Sequence, residues 1–220
     1  MKLAIFDFDG TICDTKDSVF YSIKDTYLKY SVKVNDKIIS ETLKKGITLE
    51  NSLIHINESL NLDIDVASLV LLYREIYNET AYKNTYLYKG IKDLLEKLFF
   101  DGVNIIIVSN KGSLAIEKIL NFHGLRKYIG DIFGADSAKY KKPSVELYEY
   151  IKTIYKHATL GKTYIIGDTE TDIIFAKNCG ANSIFVKYGY GDSSKCVEMS
   201  PDLIIESCDD LMMVSRHINK

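Results

Sequence analysis

The sequence predicts an α/β fold: a parallel sheet covered by helices on both faces, interrupted near its start by an inserted α-helical bundle. Three observations carry this. After Lys89, short apolar runs alternate with stretches of helical spacing, the pattern of strands joined by crossover helices. Between Ser18 and about Tyr82 the apolar residues recur at helical intervals instead, with no strand candidate of comparable strength. Ahead of both, Met1-Lys2-Leu3-Ala4-Ile5-Phe6 reads as a short buried strand. At 220 residues the chain is long for one domain and short for two. The boundaries that follow are 1–14 with 84–220 for the sheet domain and 15–83 for the bundle. The irregular segment Lys83-Asn84-Thr85-Tyr86 leads back into the sheet, and the two connections are the natural hinges.

The first strand runs into Asp7-Phe8-Asp9-Gly10-Thr11. Alternate side chains of a strand share a face, so Asp7 and Asp9 point the same way if the backbone stays extended, with Cα atoms ~6.5–7 Å apart. Two crowded carboxylates repel, so one of them is protonated or a cation sits between them. Gly10 permits a sharp turn and a close approach to the main chain. Turn-forming residues at an acidic strand end would give the same letters, so the pair acquires chemical meaning only from what else gathers around it.

In the bundle, Val19, Phe20, Ile23 and Tyr27 lie on one stripe and Leu49, Leu53, Ile56 and Leu60 on another. Asp65 caps a third helix that buries Val66, Leu69, Tyr73, Ile76 and Tyr77, while Asn35 and Gly46 bracket a shorter one. Tyr73, Tyr77, Tyr82, Tyr86 and Tyr88 read as core and hinge packing. Beyond them, a helix from Ile91 to Phe100 stops at Asp101-Gly102 and a strand follows from Val103 to Val108. A helix carrying Ile116, Ile119 and Leu120 ends at Gly124, and Ile132-Phe133 begins a short strand. Pro143 fits the first turn of a helix with Leu147, Tyr148, Ile151 and Ile154. Thr163 to Ile166 is the next strand, Ile173 to Cys179 the next helix, and Ile184-Phe185-Val186 and Leu203-Ile204-Ile205 complete the sheet.

The formal net charge of −2 gives no broad positive field, which argues against nucleic acid and anionic membrane as partners and for a small molecule. No apolar run approaches the ~18 residues of a membrane span, and the opening stretch meets Asp7 too early for a signal-peptide core. The expectation is a soluble, cytoplasmic protein of undetermined oligomeric state. Cys13, Cys179, Cys196 and Cys208 form no CxxC pair, which suits reduced thiols rather than a disulfide framework or a zinc site.

In open parallel sheets ligands bind beyond the carboxyl ends of the strands. Four strands here end in chemistry. The first gives Asp7 and Asp9; the strand ending at Val108 gives Ser109-Asn110-Lys111, a hydroxyl, an amide and main-chain N–H groups ahead of a helix start. Past Phe133 comes Lys139-Tyr140-Lys141-Lys142-Pro143, and the strand ending at Ile166 gives Gly167-Asp168, with Asp172 four residues on. Ser-Asn alone reads as a turn, and a lysine cluster alone as a solvated face. Gathered at one sheet edge they complement one another: carboxylates hold a hard cation, and the hydroxyl, N–H groups and lysine supply what a phosphate needs. That combination suits phosphoryl transfer to a carboxylate nucleophile.

DFDGT at 7–11, VSN at 108–110, KKP at 141–143 and GDTETD at 167–172 resemble, in order, the four motifs of the haloacid-dehalogenase-like (HAD) hydrolase superfamily. Within it the chain is most similar to the phosphoglycolate-phosphatase-like branch, over essentially its whole length. The resemblance implies a Rossmann-like core with a four-helix cap, and an Mg²⁺-dependent phosphatase acting on a small phosphate ester. It makes Asp7 the nucleophile and Asp9 the acid that protonates the leaving oxygen and then activates water. Ser109 and N–H groups near Asn110 would hold phosphoryl oxygens, and Lys142 would offset their charge. Asp168, the Asp7 carboxylate and the Asp9 carbonyl would bind Mg²⁺, supported by Asp172. The family's second proline after the basic motif is Val145 here, and the choice among Lys139, Lys141 and Lys142 rests on place before Pro143.

A cap that closes on such a site excludes water and selects the leaving group, so specificity is expected in the bundle. Lys45 and Thr48, in Lys44-Lys45-Gly46-Ile47-Thr48, are the candidates, with a plain helix C-cap beside solvated lysines as the competing account. His55 and Arg74 fit a polar helix face. Gly189-Tyr190-Gly191 resembles a loop of the same branch and is equally a simple turn. Two other readings use the same residues. A sugar phosphomutase of the family (β-phosphoglucomutase-like) would return the phosphoryl group to its sugar, and a signalling receiver domain would keep it.

Overall fold

The computed structural model describes residues 1–43, 48–136, 139–157 and 162–219. It divides into two compact units, Met1–Asp14 with Tyr86–Lys220, and Thr15–Thr85.

The second unit contains α1 (Lys16–Lys29), α2 (Asp36–Leu43), α3 (Leu49–Leu60) and α4 (Val66–Thr80), followed by a 3-10 turn over Ala81–Asn84. Its interior is built from Ile23, Tyr27, Ile39, Leu53, Ile56, Leu69, Tyr73 and Tyr77, each buried. A fully buried Ile or Leu stabilises such a unit by ~1.5–3 kcal/mol relative to exposure. Tyr27 places its hydroxyl within reach of the Leu53 carbonyl and Asn57 Oδ1 (3.0 and 2.9 Å), so a polar tip is buried without loss. The inner face of α1 differs from its apolar stripe. Ser18, Ser22 and Thr26 are buried with Ile23 and Tyr27, whereas Val19 and Phe20 are only half-buried. Small hydroxyl residues let the helix be buried on that side because two of them bond locally, Thr26 to the Ser22 carbonyl and Ser18 to the Thr15 carbonyl. Ser18 also meets the Tyr77 hydroxyl at 2.9 Å.

The first unit carries β1 (Leu3–Phe6), β2 (Cys13–Asp14), β3 (Tyr86–Leu87), β4 (Asn104–Val108), β5 (Ile132–Phe133), β6 (Thr163–Gly167), β7 (Asn182–Val186) and β8 (Leu203–Ile205). Six of them form a parallel sheet in the order β5-β4-β1-β6-β7-β8, and β2 pairs antiparallel with β3. This is the α/β arrangement around a parallel sheet that the alternation predicts, in the Rossmann-like form that the resemblance implies. Its helices are α5 (Ile91–Phe100), α6 (Ser113–Phe122), α7 (Val145–Ile154), α8 (Glu170–Cys179), α9 (Ser193–Glu198) and α10 (Met212–Ile218). Leu3 and Ile5 of β1 share a core with Ile106, Val108 and Ile165 of the neighbouring strands, Leu147, Tyr148 and Ile151 of α7, and Phe175 and Ala176 of α8.

The register sets the site. Phe6 lies level with Ile107 of β4 and Ile166 of β6, so Asp7, Ser109 and Asp168 emerge at one carboxyl edge. From β5 the chain must pass over β4 and β1 to lay down β6, and that reversal of winding direction falls at β1. Three local expectations differ. The helix expected to contain Pro143 begins at Val145, because Ser144 takes the extended N-cap conformation. Val103 precedes its strand, and Tyr86, placed among packing tyrosines, is exposed on β3.

Candidate active site

Regular strand geometry ends at Phe6, and the loop that follows sends its two acids to different partners. Asp7 stays close to the sheet, its N–H donating to the Ile166 carbonyl (2.8 Å), on the strand that leads to Asp168. If the alternation of β1 continues one residue further, Asp7 shares the face of Leu3 and Ile5, the one covered by α7 and α8. Lys142 comes just ahead of α7 and Asp172 sits in the first turn of α8. Lys142 Nζ donates to Asp7 Oδ1 at 2.7 Å and to Asp172 Oδ1 at 2.6 Å. All three side chains are withdrawn from solvent. Of the lysines competing for this role, Lys139 and Lys141 are exposed and Lys142 is 8% exposed.

Asp168 follows β6 and is fully buried. Thr11 donates to its Oδ1 (3.0 Å) and the Tyr190 N–H to its Oδ2 (2.7 Å). Two glycines make room for it. Gly10 has φ of +84°, and a Cβ there, or at Gly189, would collide with the Asp168 carboxylate. The Gly189-Tyr190-Gly191 turn is therefore shaped around Asp168, and Tyr190 also donates its hydroxyl to Asp14 (2.8 Å). Asp172 is fixed as well: its Oδ2 accepts from the Thr169 hydroxyl and N–H (2.8 and 3.1 Å), closing a capping box on α8.

Asp7, Asp168 and Asp172 each offer a carboxylate oxygen within 4.8 Å of the other two. Burial pushes the Asp7 carboxyl up to about 6, with Lys142 pulling it down and Asp172 pushing it further up. Burial, then the charges of Asp7 and Asp172, pushes Asp168 up to about 8. For Lys142 burial opposes the charged form, but Asp172 and Asp7 outweigh it and hold the ammonium above the usual lysine range. Three carboxylates with one lysine leave a buried excess of negative charge, and every donor is a hard oxygen. The group fits a small divalent cation.

Asp9 faces a separate lysine. Lys111 Nζ donates to Asp9 Oδ1 at 2.9 Å. Ser109 is buried, held by its N–H to the Phe133 carbonyl (3.0 Å), and its Oγ accepts the Lys111 N–H (3.3 Å). A hydroxyl that accepts one bond keeps its proton to donate. Asn110 is exposed beside it. Thr48 is exposed and caps α3, accepting the Asn51 N–H (3.3 Å); Lys45 lies outside the described residues. Arg74 is exposed and His55 half-buried. The sequence reading missed the Lys111–Asp9 pair and the hold of Thr11 and Tyr190 on Asp168. Thr11 stood inside DFDGT and Lys111 directly after VSN, but no spacing says which side chain meets which acid.

A family model for haloacid dehalogenase-like hydrolases matches residues 4–186. A phosphoglycolate phosphatase of Vibrio parahaemolyticus is 27% identical, the match covering 97% of this chain and 96% of that protein. Among solved structures, a predicted phosphoglycolate phosphatase from Haemophilus somnus 129pt superposes with a TM-score of 0.81 at 19% identity, over 98% of each chain. A haloacid dehalogenase-like family hydrolase from Streptococcus pneumoniae gives 0.78 at 20% identity, over 97% of this chain and 98% of that one. At such identities the structures speak to the fold alone.

Proposed function

We propose, from the premise that the chain belongs to the haloacid dehalogenase-like hydrolase family, that it is an Mg²⁺-dependent phosphatase acting on a small phosphorylated metabolite. One observation carries the reading: Lys142 buried between Asp7 and Asp172, beside Asp168. Burying four ionisable groups together is costly, several kcal/mol for each that stays charged, which a core of apolar residues would avoid. Such an arrangement suits a site that must receive a phosphoryl group.

In this reading the Asp7 carboxylate attacks phosphorus while Asp9 delivers a proton to the leaving ester oxygen. The ester P–O bond breaks and an aspartyl-phosphate forms on Asp7. Asp9, now a carboxylate, takes a proton from water; the water oxygen bonds to phosphorus, the Asp7–phosphorus link breaks, and inorganic phosphate leaves. Ser109 and main-chain N–H groups near Asn110 donate to the phosphoryl oxygens, and Lys142 offsets charge there and on Asp7. Asp7, Asp168 and the Asp9 carbonyl, supported by Asp172, would hold Mg²⁺, which when bound neutralises negative charge on the transferring group. The phosphoglycolate phosphatase of Vibrio parahaemolyticus makes phosphoglycolate the first ester to try.

The test is inorganic phosphate released from a panel of phosphate esters with Mg²⁺. Wild-type enzyme should turn over at least one small ester without forming an isomer, and Asp7→Asn should lower kcat by at least ~10³-fold. Undiminished release by Asp7→Asn would falsify the assignment. An isomeric sugar phosphate in place of free phosphate would move the reading to a mutase.

A further inference from the structure

Asp7 and Asp9 are two residues apart, yet each is held by its own lysine. Lys142 grips Asp7 at 2.7 Å, and Lys111 grips Asp9 at 2.9 Å. The Lys111 side chain is only 10% exposed while that of Asp9 is 29% exposed. Lysine ordinarily keeps its ammonium in water, and withdrawing it is costly unless the charge is paired. The same residue also donates its N–H to Ser109 Oγ at 3.3 Å. Lys111 therefore ties together two groups from different strand ends, the serine at the end of β4 and the aspartate beyond β1.

Resting on the proposed function, we propose that Lys111 is a positioning residue: it fixes the direction of the Asp9 carboxyl relative to the phosphoryl group bound at Ser109, so that the proton reaches the leaving oxygen. Asp9 lies beyond the last regular residue of β1, in a loop that the glycine at 10 bends sharply, and Lys111 is the side chain that restrains its carboxylate through Oδ1. An acid that must deliver a proton within hydrogen-bond reach loses most of its value when misplaced by ~1 Å. Lys111 is assigned no contact with the reacting atoms. It acts through Asp9.

The measurement is kcat/KM for two alkyl phosphates, phosphoglycolate and glycerol phosphate, against p-nitrophenyl phosphate. An alkoxide needs its proton to leave, whereas a nitrophenolate departs without one. Lys111→Met should lower kcat/KM on the alkyl esters by ~10²-fold, at least tenfold more than on the aryl ester. Lys111→Arg should recover most of the difference, and in an Asp9→Asn background Lys111→Met should no longer separate the two classes. Lys111→Gln serves the same comparison if thermal melting shows the Met variant unfolded. Equal losses on both classes, no loss on either, or a difference that persists without Asp9 would overturn the assignment. Asp7→Asn is run beside them. If it still releases phosphate the proposed function fails, whereas a dead Asp7→Asn with uniform Lys111 losses removes only the role given to Lys111.

Discussion

Lys142 shows what a single charge does here. Its ammonium is the cation that Asp7 and Asp172 share, and both carboxylates are nearly sealed from water. Removing one partner of a buried ionic group leaves the others uncompensated, which typically costs ~3–5 kcal/mol. Lys142→Met is expected to lower the unfolding free energy by that order without divalent cation, read as a lower urea midpoint, and to abolish phosphate release. An unchanged midpoint would show that the two acids find compensation elsewhere. Sequence alone narrowed this position well, because a lysine directly before a proline in the third motif stood apart from Lys139 and Lys141. It could not show that Lys111 would turn to Asp9. That pairing depends on two strand ends being neighbours in the sheet, and local spacing carries no trace of it.

At the scale of elements, periodicity delivered α5 at its observed bounds, since Leu94, Leu95 and Leu98 fall on one buried face and Asp101-Gly102 ends it. It misplaced the face of α1, where Ser18, Ser22 and Thr26 go inside, two of them bonded to nearby carbonyls, and the apolar stripe is half outside. It missed β2, β3, α9 and α10, which are short and hold too few residues for a period to emerge. Thr48 illustrates how an element can claim a residue. Its side chain caps α3, so Thr48→Ala should destabilise the bundle by ~1 kcal/mol, read as a lower thermal midpoint. Thr48→Asp keeps a capping oxygen and should hold that midpoint. If Thr48→Asp nonetheless reorders the substrate panel, the residue also acts in specificity; an unaltered order leaves it as a cap only.

For the whole molecule, alternating strands and helices disclosed a parallel sheet, while the order β5-β4-β1-β6-β7-β8 depended on which way the chain turned after β5. That turn gathers Asp7, Asp168 and Asp172 into one cluster and so gives the molecule a pH response. Burial foremost, with the neighbouring carboxylates adding to it, raises Asp7 to about 6 and Asp168 to about 8 from an ordinary 3.8. The folded chain therefore retains protons that the unfolded chain has already released, and stability must fall as pH rises through that window. Without divalent cation, the thermal midpoint should decline between ~pH 5 and ~pH 8, on the order of 10 °C. A cation binding at the carboxylates displaces those protons, so the rise in midpoint on adding Mg²⁺ should be larger at the upper end of the window than at the lower. Asp168→Asn should remove most of the metal-free decline and the Mg²⁺ response together, because Asp168 carries the larger of the two shifts and would also ligate the cation. A metal-free midpoint that climbs steadily with pH would mean that the buried acids are already ionised and compensated, and the cluster would then have no need of a cation.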